Sequence, residues 1–284
     1  MTGRRGDTME ATHVPSTLLA VEDVTVQRGG VSVVHDVSLT VRSGEFVGIV
    51  GPNGGGKSTL LQAVLGVLKC YKGTVKVFDH PPMSSRVLGK VAWVSQAAAN
   101  LPSNVRLTVR ELVQLGLLNQ RTWFRPFSRD DGTVDRAIAM VGLDDLADSD
   151  VGHLSGGQRQ RAVIARALAT KAEVLLLDEP LVGMDLASRN ALLKLLDGFC
   201  HNEGKTIVMV SHDMTAIRQS AHRIVYLEGT VRFDGAPPDF PSLGALAALR
   251  GIDDVHGGHH HDHGEEHCGH DHAVRDDVID KEAE

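Results

Sequence analysis

Nine consecutive residues, Gly51, Pro52, Asn53, Gly54, Gly55, Gly56, Lys57, Ser58 and Thr59, fit the pattern GxxxxGK[ST]. Glycines let backbone N–H groups turn inward around phosphate oxygens, and a helix starting at the lysine adds positive potential. The lysine then reaches the terminal phosphates, and the Ser58 hydroxyl reaches a Mg²⁺ ion. Far downstream the apolar run VLLL (174–177) ends in Asp178 and Glu179. Such a pair divides the labour: Asp178 binds or orients Mg²⁺ through water, and Glu179 polarises the attacking water as general base. An acidic pair after a strand can also cap the next helix, and the phosphate loop upstream favours the metal role.

A second anion site lies in Leu154-Ser155-Gly156-Gly157-Gln158. Ser155 is placed to cap a helix whose first N–H groups stay free beside two positions without side chains. One nucleotide does not need two helix N-termini on separate subdomains unless a second copy of the chain supplies one of them. The plain alternative is a capped helix after a turn.

These groups need elements to position them. FVGIV (46–50) reads as a buried strand, and STLLQAVLGVL (58–68) as the helix after the loop. LLAVEDVTV (18–26) and SVVHDVSLTV (32–41) read as two strands around a Gly29-Gly30 turn, a β-rich N-terminal sheet. Residues 75–78 and 91–93 are further short strands, and 108–141 switch to helical spacing. From Ser155 onward come a helix, strand 174–177, helix 186–200, strand 206–210 and a closing hairpin over 223–235. Strands alternating with helices predict a parallel sheet. Continuous apolar strands predict helices on both of its faces.

Length and charge bound the reading. The 284 residues suffice to bury a core without staples, and three dispersed cysteines (Cys70, Cys200, Cys268) form no disulfide framework, favouring a reducing compartment. No apolar leader and no run of about 18 apolar residues is visible. Residues 251–284 hold eleven acids and two bases, so the formal charge of −7 belongs to the tail and the body stays near neutral. Without a basic stripe, and at 4% aromatic residues, the chain is not expected to bind nucleic acid.

Taken in order, GPNGGGKST, VSQ (94–96), LSGGQRQR (154–161), LLLDEP (175–180), Gly183-Met184-Asp185 and SHD (211–213) resemble the nucleotide-binding subunit of ABC transporters over residues 18–235. The resemblance implies an α/β fold: a P-loop NTPase core with a parallel sheet, an N-terminal antiparallel β subdomain and an inserted α-helical signature subdomain at about 97–165. Polar residues 1–16 read as a disordered leader and apolar periodicity ends after Arg250, so a nucleotide-binding domain is expected over 17–240 and a C-terminal extension over 241–284. The resemblance further implies a head-to-tail homodimer, with each ATP between Lys57 of one chain and Ser155, Gly156, Gly157 and Gln158 of the other. Gln96 would touch Mg²⁺ and water, His212 would hold the γ-phosphate, and Asp185 would cross the dimer interface. Locally, Gln96 also reads as a loop residue, His212 as a helix-end histidine and Asp185 as an N-cap. The family usually places an adenine-stacking aromatic before Gly29, where this chain has Arg28. A guanidinium can stack on the same π-face, and a merely solvated arginine is the alternative.

RLTVRELVQLGLL (106–118) and RTWFRPFSRDD (121–131) are similar to the manganese- and zinc-uptake branch, with Trp123, Phe124 and Phe127 read partly as packing. The tail adds His256, His259, His260, His261, His263, His267, Cys268, His270 and His272, mixed with acids. Neutral imidazoles and a thiol suit Zn²⁺ or Ni²⁺, and irregular spacing points to several exchanging sites rather than one preformed site. An inert acidic extension is the alternative. The expectation is an ATPase subunit, peripheral to the cytoplasmic side of the inner membrane, driving import of a divalent metal, zinc before manganese or nickel. A membrane permease and an extracytoplasmic metal-binding protein are implied partners. A soluble ABC ATPase of DNA repair or translation would need heptad insertions, a duplicated cassette or a basic surface. A metal-storage module would not need the complete catalytic set.

Overall fold

The chain enters as two long strands, β1 (Thr17–Arg28) and β2 (Val31–Arg42), paired antiparallel across the Gly29-Gly30 turn. Next comes β3 (Phe46–Val50), buried at every residue, which runs straight into the phosphate loop and α1 (Lys57–Val64). β4 (Lys72–Val77) then returns to pair with β1, completing a three-stranded sheet of order β2-β1-β4. The computed structural model describes residues 16–99, 106–118, 132–242 and Ala245. The expected leader apart from Ser16, the trio Trp123, Phe124 and Phe127, and the histidine-rich tail lie outside the described residues. One unit of the chain closes at Phe240 and a second begins at Pro241.

After β5 (Val91–Val94) come α2 (Val109–Gln114), α3 (Thr133–Met140) and α4 (Gly156–Ala169), which pack on one another. Then follow β6 (Val174–Asp178), α5 (Leu186–Glu203), β7 (Thr206–Val210), α6 (Met214–Ser220), and the hairpin β8 (Arg223–Glu228) with β9 (Thr230–Gly235). A second sheet has the order β5-β6-β7-β3-β8-β9, parallel from β5 to β8 with β9 antiparallel at its edge. That is the architecture predicted from the alternation of strands and helices.

The pleat of β3 explains the layering. Val47 and Ile49 join the cluster containing Leu60 and Leu61 of α1 and Val21, Val24 and Val37 of the three-stranded sheet. Gly48, on the opposite face, lies against Ile217 and Ala221, so α6 packs directly on the backbone there. β6 and β7 are buried at every residue. Each Leu or Ile removed from water in this way contributes about 1.5–3 kcal/mol.

Several boundaries depart from the periodicity. The helix expected over 58–68 stops at Val64, because Gly66 N–H bonds Ala63 and both Val67 and Leu68 N–H bond Gln62, a tight closure of the last turn. Phe78 leaves β4 with φ 50°. The helical run expected over 108–141 is broken: after α2 the backbone tightens into a 3-10 turn over Leu115–Leu117 and becomes extended at Leu118. α5 continues three residues past the expected end at 200. α4 runs past 165 and touches β5, so helical spacing alone does not mark where the helical part ends.

Candidate nucleotide site

All the parallel strands deliver their chemistry at their carboxyl ends. Gly51 follows β3, Asp178 closes β6, Ser211 and His212 follow β7, and Gln96 sits in the turn after β5. β3 lies between β7 and β8, so the phosphate loop is flanked by the residues after β7 and by Leu227 of β8. In open α/β sheets this edge is where ligands bind.

The loop is shaped by backbone contact. A Cβ on Gly51 would stand 2.0 Å from the Leu227 carbonyl oxygen, and one on Gly56, at φ 92°, 3.0 Å from the Val33 carbonyl oxygen. The Gly229 N–H also donates to the Gly55 carbonyl at 3.0 Å, anchoring the loop to the turn of the β8–β9 hairpin. Lys57 is buried at 6% exposure, and its ammonium donates to the Gly51 and Pro52 carbonyls, both at 2.9 Å. Burial lowers its pKa below the ordinary lysine value, with Glu179 and Asp178 opposing that shift. A buried cation bonded to main-chain carbonyls, beside a loop with glycine at four of its six positions, fits a polyphosphate.

The Ser58 hydroxyl donates to Asp178 Oδ1 at 2.9 Å, so both expected metal-side residues share one hydrogen bond. Burial raises the Asp178 carboxyl above its ordinary value, with the Ser58 bond working against that rise. An acid and a hydroxyl in contact, both close to Lys57, form an oxygen donor set of the kind Mg²⁺ prefers. A bound Mg²⁺ there would offset phosphate charge.

Glu179 follows with φ 52°, a left-handed conformation rare outside glycine, fixed by its N–H bond to the Val210 carbonyl at 2.9 Å. Its Oε2 lies 2.8 Å from His212 Nδ1 and accepts the His212 N–H at 3.3 Å. The structure thus brings the expected base and the expected γ-phosphate ligand together. Gln96 is exposed, two residues past the end of β5, the strand in register with β6. Arg28 is exposed at the end of β1, and its guanidinium donates to the Gln62 side chain of α1.

The second anion site expected from the sequence falls on the start of α4. Ser155 Oγ accepts the Gln158 N–H at 3.2 Å, and Gln158 Oε1 accepts the Ser155 N–H at 2.9 Å, a reciprocal cap. Ser155 and Gly156 are exposed, whereas Gly157 is buried where a Cβ would stand 2.7 Å from Ser188 Oγ. Asp185 caps α5, accepting the Ser188 N–H at 2.9 Å and the Ser188 hydroxyl at 2.6 Å. Those two bonds hold its carboxyl below the ordinary range. The helix-cap alternative for Asp185 is therefore realised within one chain. Motif reading had no signal for Gln62, Ser188 or the Leu227 carbonyl, which act through packing.

A glycine-rich loop between a buried strand and a helix, with a lysine, a serine and a second-strand aspartate converging on it, defines a P-loop nucleoside triphosphatase. Residues 34–182 match the family model described as ABC transporter, and the chain belongs to that family. It is 36% identical over 212 residues to the high-affinity zinc uptake system ATP-binding protein ZnuC of Bacillus subtilis (strain 168), covering 74% of this chain and 91% of that protein. It is 34% identical over 210 residues to the zinc transport system ATP-binding protein AdcC of Streptococcus pneumoniae, covering 74% and 89%. Among solved structures it is similar to a dimeric post-hydrolysis ATP-binding cassette bound to ADP and Pi. That match has 29% identity and a TM-score of 0.65, covering 78% of this chain and all of that one. The chain is thus an ABC ATPase subunit whose ATP hydrolysis is coupled to transport. Among the described residues no helix is long and apolar enough to cross a membrane.

Proposed function

We propose that this chain is the ATP-hydrolysing subunit of an importer of a divalent transition metal, with zinc as the substrate. The observation that carries the ATPase cycle is the division of one site into two halves: Lys57 and Asp178 converge on the phosphate loop, while Ser155 and Gly156 stand exposed on α4. Two chains packed head to tail would each complete the other's site, with Glu179 taking a proton from water and His212 holding the terminal phosphate. Hydrolysis then weakens the contact between protomers. Zinc is favoured over manganese because one of the relatives is the ATP-binding protein of a zinc uptake system and another that of a zinc transport system. Metal uptake into vesicles holding the ATPase with its membrane partner tests the substrate. Zinc accumulation dependent on ATP supports the reading, and transport of manganese alone removes it.

The proposed partner is a membrane permease at the inner face of the membrane, fed by an extracytoplasmic metal-binding protein. A cavity of about 310 Å³ between β5 and α4, lined by Trp93, Leu115, Leu118 and Arg166, offers a docking place for a permease helix. Leu115 and Leu118 are 44% and 50% exposed there. Arg28, fixed by Gln62, is proposed to stack on adenine; Arg28→Ala should weaken ATP binding about two- to tenfold by calorimetry, and unchanged affinity excludes stacking. The tail beginning at His256 is proposed to bind zinc and restrain hydrolysis when zinc is plentiful. ATPase rate against free Zn²⁺, for the full chain and for one ending at Arg250, should show inhibition only in the former. Identical responses rule out sensing.

A further inference from the structure

Two loops carry the catalytic machinery on this side of the sheet. One runs from Glu179 through Gly183 and Met184 to Asp185; the other is Ser211-His212-Asp213. At the site itself they meet through Glu179 and His212, 2.8 Å apart. Behind the site they meet again through Arg189, one turn into α5. Its Nε donates to the Met184 carbonyl at 3.0 Å, and its Nη1 donates to Asp213 Oδ2 at 3.1 Å. The other carboxylate oxygen of Asp213 accepts the Ala216 N–H at 3.0 Å and caps α6, while the Asp213 N–H donates to Ser211 Oγ at 3.0 Å.

We propose that Arg189 is a positioning residue for hydrolysis, a clamp that makes the Glu179–Asp185 loop and the His212 loop move as one body. The inference rests on the hydrolytic roles proposed for Glu179 and His212. Its physical basis is the guanidinium fork, which can satisfy a carbonyl and a carboxylate in one plane, whereas a lysine ammonium has no such fork. The ion pair is only partly exposed, at 35% and 27%, so solvent screens it less than a surface pair. Without the clamp, the hydrogen bonds left between the two loops among the described residues are those of Glu179 with His212, where reacting groups must rearrange. A misplacement of about 1 Å in a group held for catalysis can cost as much as about a hundredfold in rate.

The test is steady-state ATP hydrolysis by the full chain as Arg189→Ala, Arg189→Lys, Asp213→Asn and the Arg189→Ala/Asp213→Asn double variant. Asp213→Asn keeps an oxygen to cap α6 and replaces the oxygen facing Arg189 with an NH2 group, which removes both the charge and the acceptor of the Arg189 bond while leaving the cap of α6 in place. The clamp predicts kcat lowered about tenfold in Arg189→Ala and Asp213→Asn, with KM for ATP within about twofold of wild type. It predicts partial recovery in Arg189→Lys and a double variant no slower than the slower single one. Multiplying losses in the double variant, a loss confined to KM, or a kcat unchanged in Arg189→Ala overturns it. Glu179→Gln, assayed in parallel, separates the two readings. If that variant is inactive while Arg189→Ala is fully active, only the clamp fails; if it turns over normally, the catalytic assignment fails and the clamp with it.

Discussion

Asp178 and Lys57 show at the scale of single residues what it costs to bury charge beside the glycine-rich loop. Each is buried as a charged group, and burial moves the two pKa values in opposite directions, Asp178 up and Lys57 down. For Asp178 the folded chain holds its proton more tightly than the unfolded chain does. Its contribution to stability is therefore full below the ordinary 3.8 and lost as pH rises through the raised value. For Lys57 the sign reverses, and stability grows as pH rises from its lowered value towards 10.5. The nucleotide-free Asp178→Asn variant should melt at a higher temperature than wild type at pH 7, and that advantage should vanish near pH 4. A variant less stable at pH 7 would show that the Ser58 bond outweighs the burial of charge. A different cluster, Asp197, His201 and His222, lies within 4.8 Å yet is closed by hydrogen bonds. The Phe46 N–H donates to His222 Nδ1 at 3.2 Å, so a neutral ring carries its proton on Nε2, facing Asp197 rather than open to a cation.

Elements set where these residues stand, and here tight approach matters more than propensity. The start of α4 fits against α5 only because Gly157 has no side chain: a Cβ would stand 2.8 Å from Ser188 Cβ. Gly157→Ala should cost about 1–3 kcal/mol in urea unfolding, as overpacking does. Adding Ser188→Gly, which removes the opposing atoms, should recover part of that loss, and strictly additive losses would contradict the contact. Sequence revealed the features that depend on short range: the buried runs of β3 and β6, the phosphate loop between strand and helix, the Ser155 N-cap and the β8–β9 hairpin. It could not reveal which backbone faces which. Gly51 meets Leu227, Arg28 meets Gln62 and Arg189 meets Asp213 because strands distant in sequence are neighbours in the order β7-β3-β8 or are bridged by α1 and α5. Helix ends were misplaced for a related reason, since α1 is stopped by its own closing hydrogen bonds while its apolar spacing continues to Leu68.

On the scale of the whole molecule, the glycine-rich loop and the Ser155 cap belong to different layers: the loop to the parallel sheet, and the cap to the helices α2, α3 and α4. Gly183, Met184 and Ser188 lie against the start of α4 at Gly156 and Gly157, so that helix is braced by the loop that follows Glu179 and by the first turn of α5. Head-to-tail pairing would set each exposed Ser155 over a neighbour's Lys57. The structure of the full-length Glu179→Gln chain trapped with ATP and Mg²⁺ tests this most directly. The account predicts a dimer in which Ser155 and Gly156 of one protomer contact the γ-phosphate of the ATP held by the other protomer's Lys57. ATP bound at Lys57 with every Ser155 in the assembly remote from any phosphate would contradict it.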